Sequence, residues 1–210
     1  MSNSNQKTRR QKTVLLVEAA MLTAIIAVMA FTPLGYLRIG PLELTLIMIP
    51  VIIGAVTCGP AVGAFLGGVF GVTSFMQCFM GSPLGAILVS VSVWKTFIVC
   101  VVSRILAGLL CGLLFRICAK HDKKQGWSYI AASICGALLN TVFFLGLLAL
   151  LFWNVQFSPE QAASLGGVDT VIKTVIGIAA GVNAPIEAAV CAVLGSAIGK
   201  AVAVATRKLK

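Results

Sequence analysis

Glu187 stands in the run GVNAPIEAAVCAVLGSAIGKA, residues 181–201, with Asn183 four positions before it and Pro185 two before. A carboxylate in such oil is expensive in lipid, by about 2.5–3.5 kcal/mol on insertion scales, so it marks a binding site, a proton site or a structural pairing. Residues four apart stack on one helical face, which puts Asn183 and Glu187 together. Pro185 between them removes a backbone donor and leaves a carbonyl free. Other polar groups sit in similar apolar runs: Lys95 and Arg104, Asn140, and Lys173. Two chemistries fit them. Arg104 and Glu187 could staple two helices as an ion pair, or the groups could converge on a pocket for a small solute. A pair lining a pocket satisfies both. Glu18 lies near the start of its run, where a side chain reaches the interface by snorkelling.

Covalent and metal chemistry find little support. The seven cysteines, at 58, 78, 100, 111, 118, 135 and 191, form no CxxC, and the single histidine is His121. Metal-ligand spacing is therefore absent and no metal is expected. The cysteines read as small apolar packing residues. No GxSxG or HExxH occurs, so no catalytic residue is expected. GxxxxGK[ST] is missing too: GSAIGKA, Gly195–Ala201, has its glycines one residue too close and Ala after the lysine. A transporter that hydrolysed ATP itself would need such a loop.

The elements that must hold these residues follow from composition. Of 210 residues 59% are hydrophobic and 10% charged, with mean hydropathy +1.03. A soluble domain carries about 25% charged residues, and so short a chain cannot hide this much apolar surface in a core of its own. The expected solvent is lipid. The apolar runs are continuous rather than alternating, which favours helices over a barrel. Six spans are expected: Thr13–Tyr36, Leu44–Cys58, Ala61–Phe79, Trp94–Cys118, Tyr129–Trp153 and Thr170–Ala205. The second is short against the roughly 17–25 residues a crossing needs, which leaves it either little tilted or broken at Pro50. The expectation is an all-α membrane bundle forming one domain over residues 1–210. Residues 1–12 and 206–210 are its polar and basic tails, and 13–205 the bundle.

Charge orients it. Lys7, Arg9, Arg10 and Lys12 precede the first span. Arg116, Lys120, Lys123 and Lys124 lie between the fourth and fifth, and Lys200, Arg207, Lys208 and Lys210 close the chain. With six spans these clusters share one side, which the positive-inside rule makes cytoplasmic, with both termini. Glu43, Glu160 and Asp169 fall opposite, with Arg38 the main basic exception. The net charge of +10 is thus a consequence of topology, and no nucleic-acid partner is expected.

Small residues give packing signals. Ala20 and Ala24 are four apart in the first span, and Gly63, Gly67 and Gly71 in the third. Such spacing lets membrane helices approach closely. The glycine face is expected to pack within the subunit.

Several stretches occur together in one order: Ala20-xxx-Ala24, GPLELTLIMIPVIIGAVTCGPAVGAFLGGVFGVTSF, SRILAGLLCGLLF, GALLNTVFF and NAPIEAAV. In this the chain resembles the substrate-binding subunits, or S-components, of energy-coupling factor (ECF) vitamin transporters. It resembles most the pantothenate branch, with Met48 where that branch commonly carries His. The resemblance implies a bacterial plasma-membrane protein that binds a vitamin or its precursor from outside. It would dock on a membrane scaffold subunit carrying two ATP-binding-cassette ATPases, which alone hydrolyse ATP, so no cofactor of its own is implied. It assigns docking to Ala20 and Ala24, and the pocket to Lys95, Asn140, Asn183 and Glu187 with Arg104, under a lid bearing Arg38. A ligand carboxylate would take Lys95 or Arg38 if Arg104 is already paired. The rival readings are a self-sufficient secondary transporter with Glu187 as proton site, and a membrane enzyme. The first calls for inverted repeats, which the sequence does not display.

Overall fold

The computed structural model describes residues 2–32, 35–39, 42–80, 82–122, 126–155, 170 and 183–207. Eight helices occur among them: α1 Ser2–Ala30, α2 Met48–Thr57, α3 Pro60–Met80, α4 Pro83–Val91, α5 Val93–His121, α6 Trp127–Phe152, α7 Asn183–Val190 and α8 Ser196–Arg207. A π turn, Cys191–Gly195, joins α7 to α8. Five stretches are long and apolar enough to cross a membrane: Arg9–Ala30, Pro60–Met80, Val93–His121, Trp127–Phe152 and Pro185–Ala205. α2, also apolar, has only 10 residues.

The bundle is helical, as its composition implies, but one hairpin departs from the all-α expectation. Strands β1, Tyr36–Ile39, and β2, Leu42–Thr45, pair antiparallel, with Tyr36 opposite Thr45. The reason is local: Gly40-Pro41 interrupts a run rich in strand-favouring residues. The first span therefore ends at Ala30 rather than Tyr36, and the second starts as helix only at Met48. Pro50 does not break α2. It sits in the first turn, where a missing N–H is not needed. Between Phe79 and Trp94, where no element was expected, α4 forms. Ser82 caps it, accepting from Gly85 N at 3.3 Å, and Pro83 occupies the first turn. Extended Ser92 separates α4 from α5. Of the expected sixth span, residues 171–182 lie outside the described residues.

α3 and α5 pack backbone to backbone. A Cβ at Gly63 would collide with the Gly108 carbonyl, one at Gly67 with the Arg104 carbonyl, and one at Gly71 would lie 2.6 Å from Val101 Cα. The glycine face thus packs inside the subunit, as its spacing implied. The hairpin end of the bundle gathers the C-terminal ends of α1, α3 and α6: Gln77 Nε2 donates to the Ala30 carbonyl, and Lys95 of α5 lies over the Phe152 ring. At the opposite end Phe115 packs edge-on to Tyr129. Two apolar clusters result. The larger runs through α1, α2, α3, α5, α6 and the last helices. The smaller, at the hairpin end, joins Ile87, Leu88, Val99, Leu148 and Phe152.

Candidate functional site

A polar layer lies between these two clusters. Arg104 of α5 is 6% exposed. Its guanidinium stacks between Phe70, centroid 5.3 Å away, and Phe144 at 4.3 Å. Phe70 belongs to the larger cluster and Phe144 packs on the smaller. The glycine contact explains the placement: Gly67 brings α3 onto the Arg104 backbone, and Phe70, three residues on, faces the same helix. Nη1 donates to Ser103 Oγ at 3.0 Å and to the Val99 carbonyl at 3.4 Å. Nε is buried without a partner.

Glu187 of α7 is also 6% exposed, and Asn140 of α6 is buried. Glu187 lies within side-chain hydrogen-bonding reach of Thr45 of β2 and of Asn140, and the Arg104 charge acts on it. Among the described residues, the buried Glu187 Oε1 and Asn140 Oδ1 have no partner. A carboxylate only accepts, so the Asn140 amide N–H₂ is the group that can donate to Glu187. Three helices and the hairpin thus bring together a cation with a vacant donor and two vacant acceptors.

The expected Arg104–Glu187 staple is not formed: no N···O contact within 4.0 Å joins them. The aromatic rings hold the guanidinium instead, by cation–π attraction. Lys95 is exposed near the start of α5, 5.9 Å from the Phe152 centroid, and lies about 13 Å along the helix from Arg104. It does not join the cluster. The side chains of Arg38 and Asn183, and the whole of Lys173, lie outside the described residues. Glu18 does not snorkel. It shares the buried face of α1 with Leu22, Ile26 and Ala30, and both its carboxylate oxygens are buried without partners. Ala20 and Ala24 are exposed on the opposite side, among exposed Val17, Met21, Ile25 and Val28.

Sequence reasoning missed Phe70, Phe144 and Thr45. For Phe70 a signal existed, its three-residue spacing from Gly67. For Thr45 it was the Gly-Pro turn signal at 40–41 in the sequence. Phe144 had none, since any of several aromatics in α6 could have faced inward.

Apolar spans surrounding a buried polar cluster define a multi-pass membrane protein. The family comparison makes this specific. Residues 14–199 match the family described as ECF transporter, substrate-specific component. The chain belongs to that family. It is a substrate-capturing subunit for an ECF module, and its family is one of transport components rather than enzymes. Comparison with curated proteins gave no match.

Proposed function

We propose that this subunit captures a small vitamin or vitamin precursor bearing a carboxylate, of the pantothenate type, from outside a bacterial plasma membrane. One observation carries the reading. Arg104 is buried and stacked between two rings, and among the described residues it has no carboxylate partner and an unpartnered Nε, in the same polar cluster as Glu187 Oε1 and Asn140 Oδ1, likewise unpartnered there. A hydroxy-amide acid supplies what each lacks: a carboxylate for Arg104, hydroxyl or amide N–H donors for the two oxygens. Arg104, being unpaired, takes the ligand carboxylate in preference to Lys95. Exposed Lys95 and the hairpin residue Arg38 serve at the mouth, and Asn183 adds a further polar group one turn from Glu187.

The chain acts as one membrane domain crossing six times, α2 being the short crossing, with both termini cytoplasmic. Docking uses the exposed Ala20 and Ala24 face of α1 against the scaffold subunit. ATP is hydrolysed by the two ATPases of the module, and the subunit needs no cofactor of its own.

The test compares pantothenate with its alcohol analogue, in which CH₂OH replaces the carboxylate, by calorimetric titration of the detergent-purified subunit. Losing a charged hydrogen bond of about 1.5–3 kcal/mol weakens the alcohol by about tenfold to a hundredfold. Equal affinity for both, or no binding of either, overturns the proposal.

A further inference from the structure

The π turn sits one turn from Glu187, and its register decides which side chain enters the site. α6 and the last helices touch at three levels. Glu187 meets Asn140. A Cβ on Gly195 would lie 2.9 Å from Ser133 Oγ, and one on Gly199 3.6 Å from Tyr129 Cδ1. From Asn140 to Tyr129 is eleven residues, from Glu187 to Gly199 twelve. Eleven α-helical residues turn about 1,100°, within about 20° of three whole turns, whereas twelve overshoot by about 120°. Yet Glu187, Cys191, Gly195 and Gly199 are all buried, every fourth residue. The π turn makes this possible, because its wider i→i+5 winding absorbs one surplus residue.

Rewinding that turn to α geometry, with no residue lost, would rotate α7 by about 100° against α8. The residue seven before Gly195 would then face α6. That residue is Ala188, half-buried at the edge of the core. A methyl would replace the carboxylate, and the Glu187 contacts with Asn140 and with Thr45 of the hairpin would be lost together.

The two windings would differ in what they offer a ligand. π turns are rare, occur mostly as single turns inside α-helices and are frequent at functional sites, so something must hold this one. Here the holders are the Glu187 contacts and Ser196, whose hydroxyl donates to the Ala192 and Val193 carbonyls of the turn. A ligand bound to Glu187 favours the π form, and losing it favours the α form.

We propose that the π turn Cys191–Gly195 is a register switch for ligand release, holding Glu187 in the site in one state and presenting Ala188 in the other. This rests on the reading of Glu187 and Asn140 as ligand residues, but its first test needs no ligand.

In a background lacking the native cysteines, Asn140→Cys with Ala188→Cys should form a disulfide on mild oxidation. Deleting Val193, which is exposed, removes the surplus residue and leaves Glu187 seven positions from Gly195. The deleted chain has no second register, so the same cysteine pair should crosslink at least tenfold more slowly. Ser196→Ala in the full-length chain weakens the hold on the turn and should speed crosslinking severalfold; this arm stands even if the deletion fails to fold. Crosslinking unchanged by Ser196→Ala, or equal rates with and without Val193, overturns the switch. A second arm uses the complete ECF complex with radiolabelled pantothenate. With its cysteines native and Val193 deleted, the subunit should bind within about threefold of wild type yet transport at least tenfold more slowly. Transport at the wild-type rate overturns the switch. Failure of the wild-type complex to take up pantothenate overturns the substrate assignment instead.

Discussion

Asn140 on α6 and Glu187 on α7 face each other within side-chain hydrogen-bonding reach, and each keeps one oxygen buried without a partner among the described residues. Arg104, whose charge reaches Glu187, forms no ion pair with it and is held by Phe70 and Phe144. The pair therefore differs from a helix staple, in which each charge would complete the other, and the difference can be measured.

Glu187→Gln strands no buried cation, because none is paired with it. The expected loss is one hydrogen bond's difference, about 0.5–1.5 kcal/mol, or roughly three- to tenfold in Kd for pantothenate. The melting temperature should hardly move. Titration and a melting curve on one detergent preparation check this; a steep fall in Tm with normal affinity would restore the staple.

Arg104→Lys keeps the charge but loses the flat group that two rings sandwich. Affinity for a carboxylate ligand should drop about tenfold or more, and Arg104→Gln should drop it further. Phe144→Leu removes one ring, a contact worth about 0.5–2 kcal/mol, and should fall between wild type and Arg104→Gln. Equilibrium binding across the series gives the order.

Ala20→Trp and Ala24→Trp place bulk on the exposed face of α1, away from the polar cluster. Uptake by the assembled transporter should be lost, because close helix approach is blocked. Ligand binding by the isolated subunit should stay near wild type. Normal uptake by both variants removes this face from docking.

Gly67→Ala drives a Cβ into the Arg104 carbonyl. Overpacking of this kind costs about 1–3 kcal/mol, and it moves the backbone that carries Arg104, so Tm and affinity should fall together. Gly146 in α6 is the control. A Cβ there meets nothing within 4 Å, and Gly146→Ala should stabilise the helix by about 0.5–1 kcal/mol.

His121→Cys, at the exposed end of α5, tests the orientation. In a cysteine-free chain a membrane-impermeant maleimide should label it only after the cells are permeabilised. Labelling of intact cells would invert the topology.

Sequence alone determined what depends on local properties. Continuous apolar runs of span length specify membrane helices wherever they are placed, because lipid forces each backbone to satisfy itself. Gly63, Gly67 and Gly71 announced a close-packing face because their four-residue spacing is a property of one helix. The polar residues Arg104, Asn140 and Glu187 could be named for the same reason: each is anomalous in its own segment. Which groups they meet could not be read, since that depends on register between helices. The i+3 step from Gly67 aims Phe70 at α5, but only the docked helices put its ring over a guanidinium and leave Glu187 to Thr45 and Asn140. The hairpin lay hidden inside a run whose apolar content also suits a helix. The π turn was invisible because nothing in CAVLG forbids ordinary α winding. Its surplus residue becomes visible only when the last helices are laid against α6, where packing of Gly195 and Gly199 on Ser133 and Tyr129 sets the register that Glu187 must share.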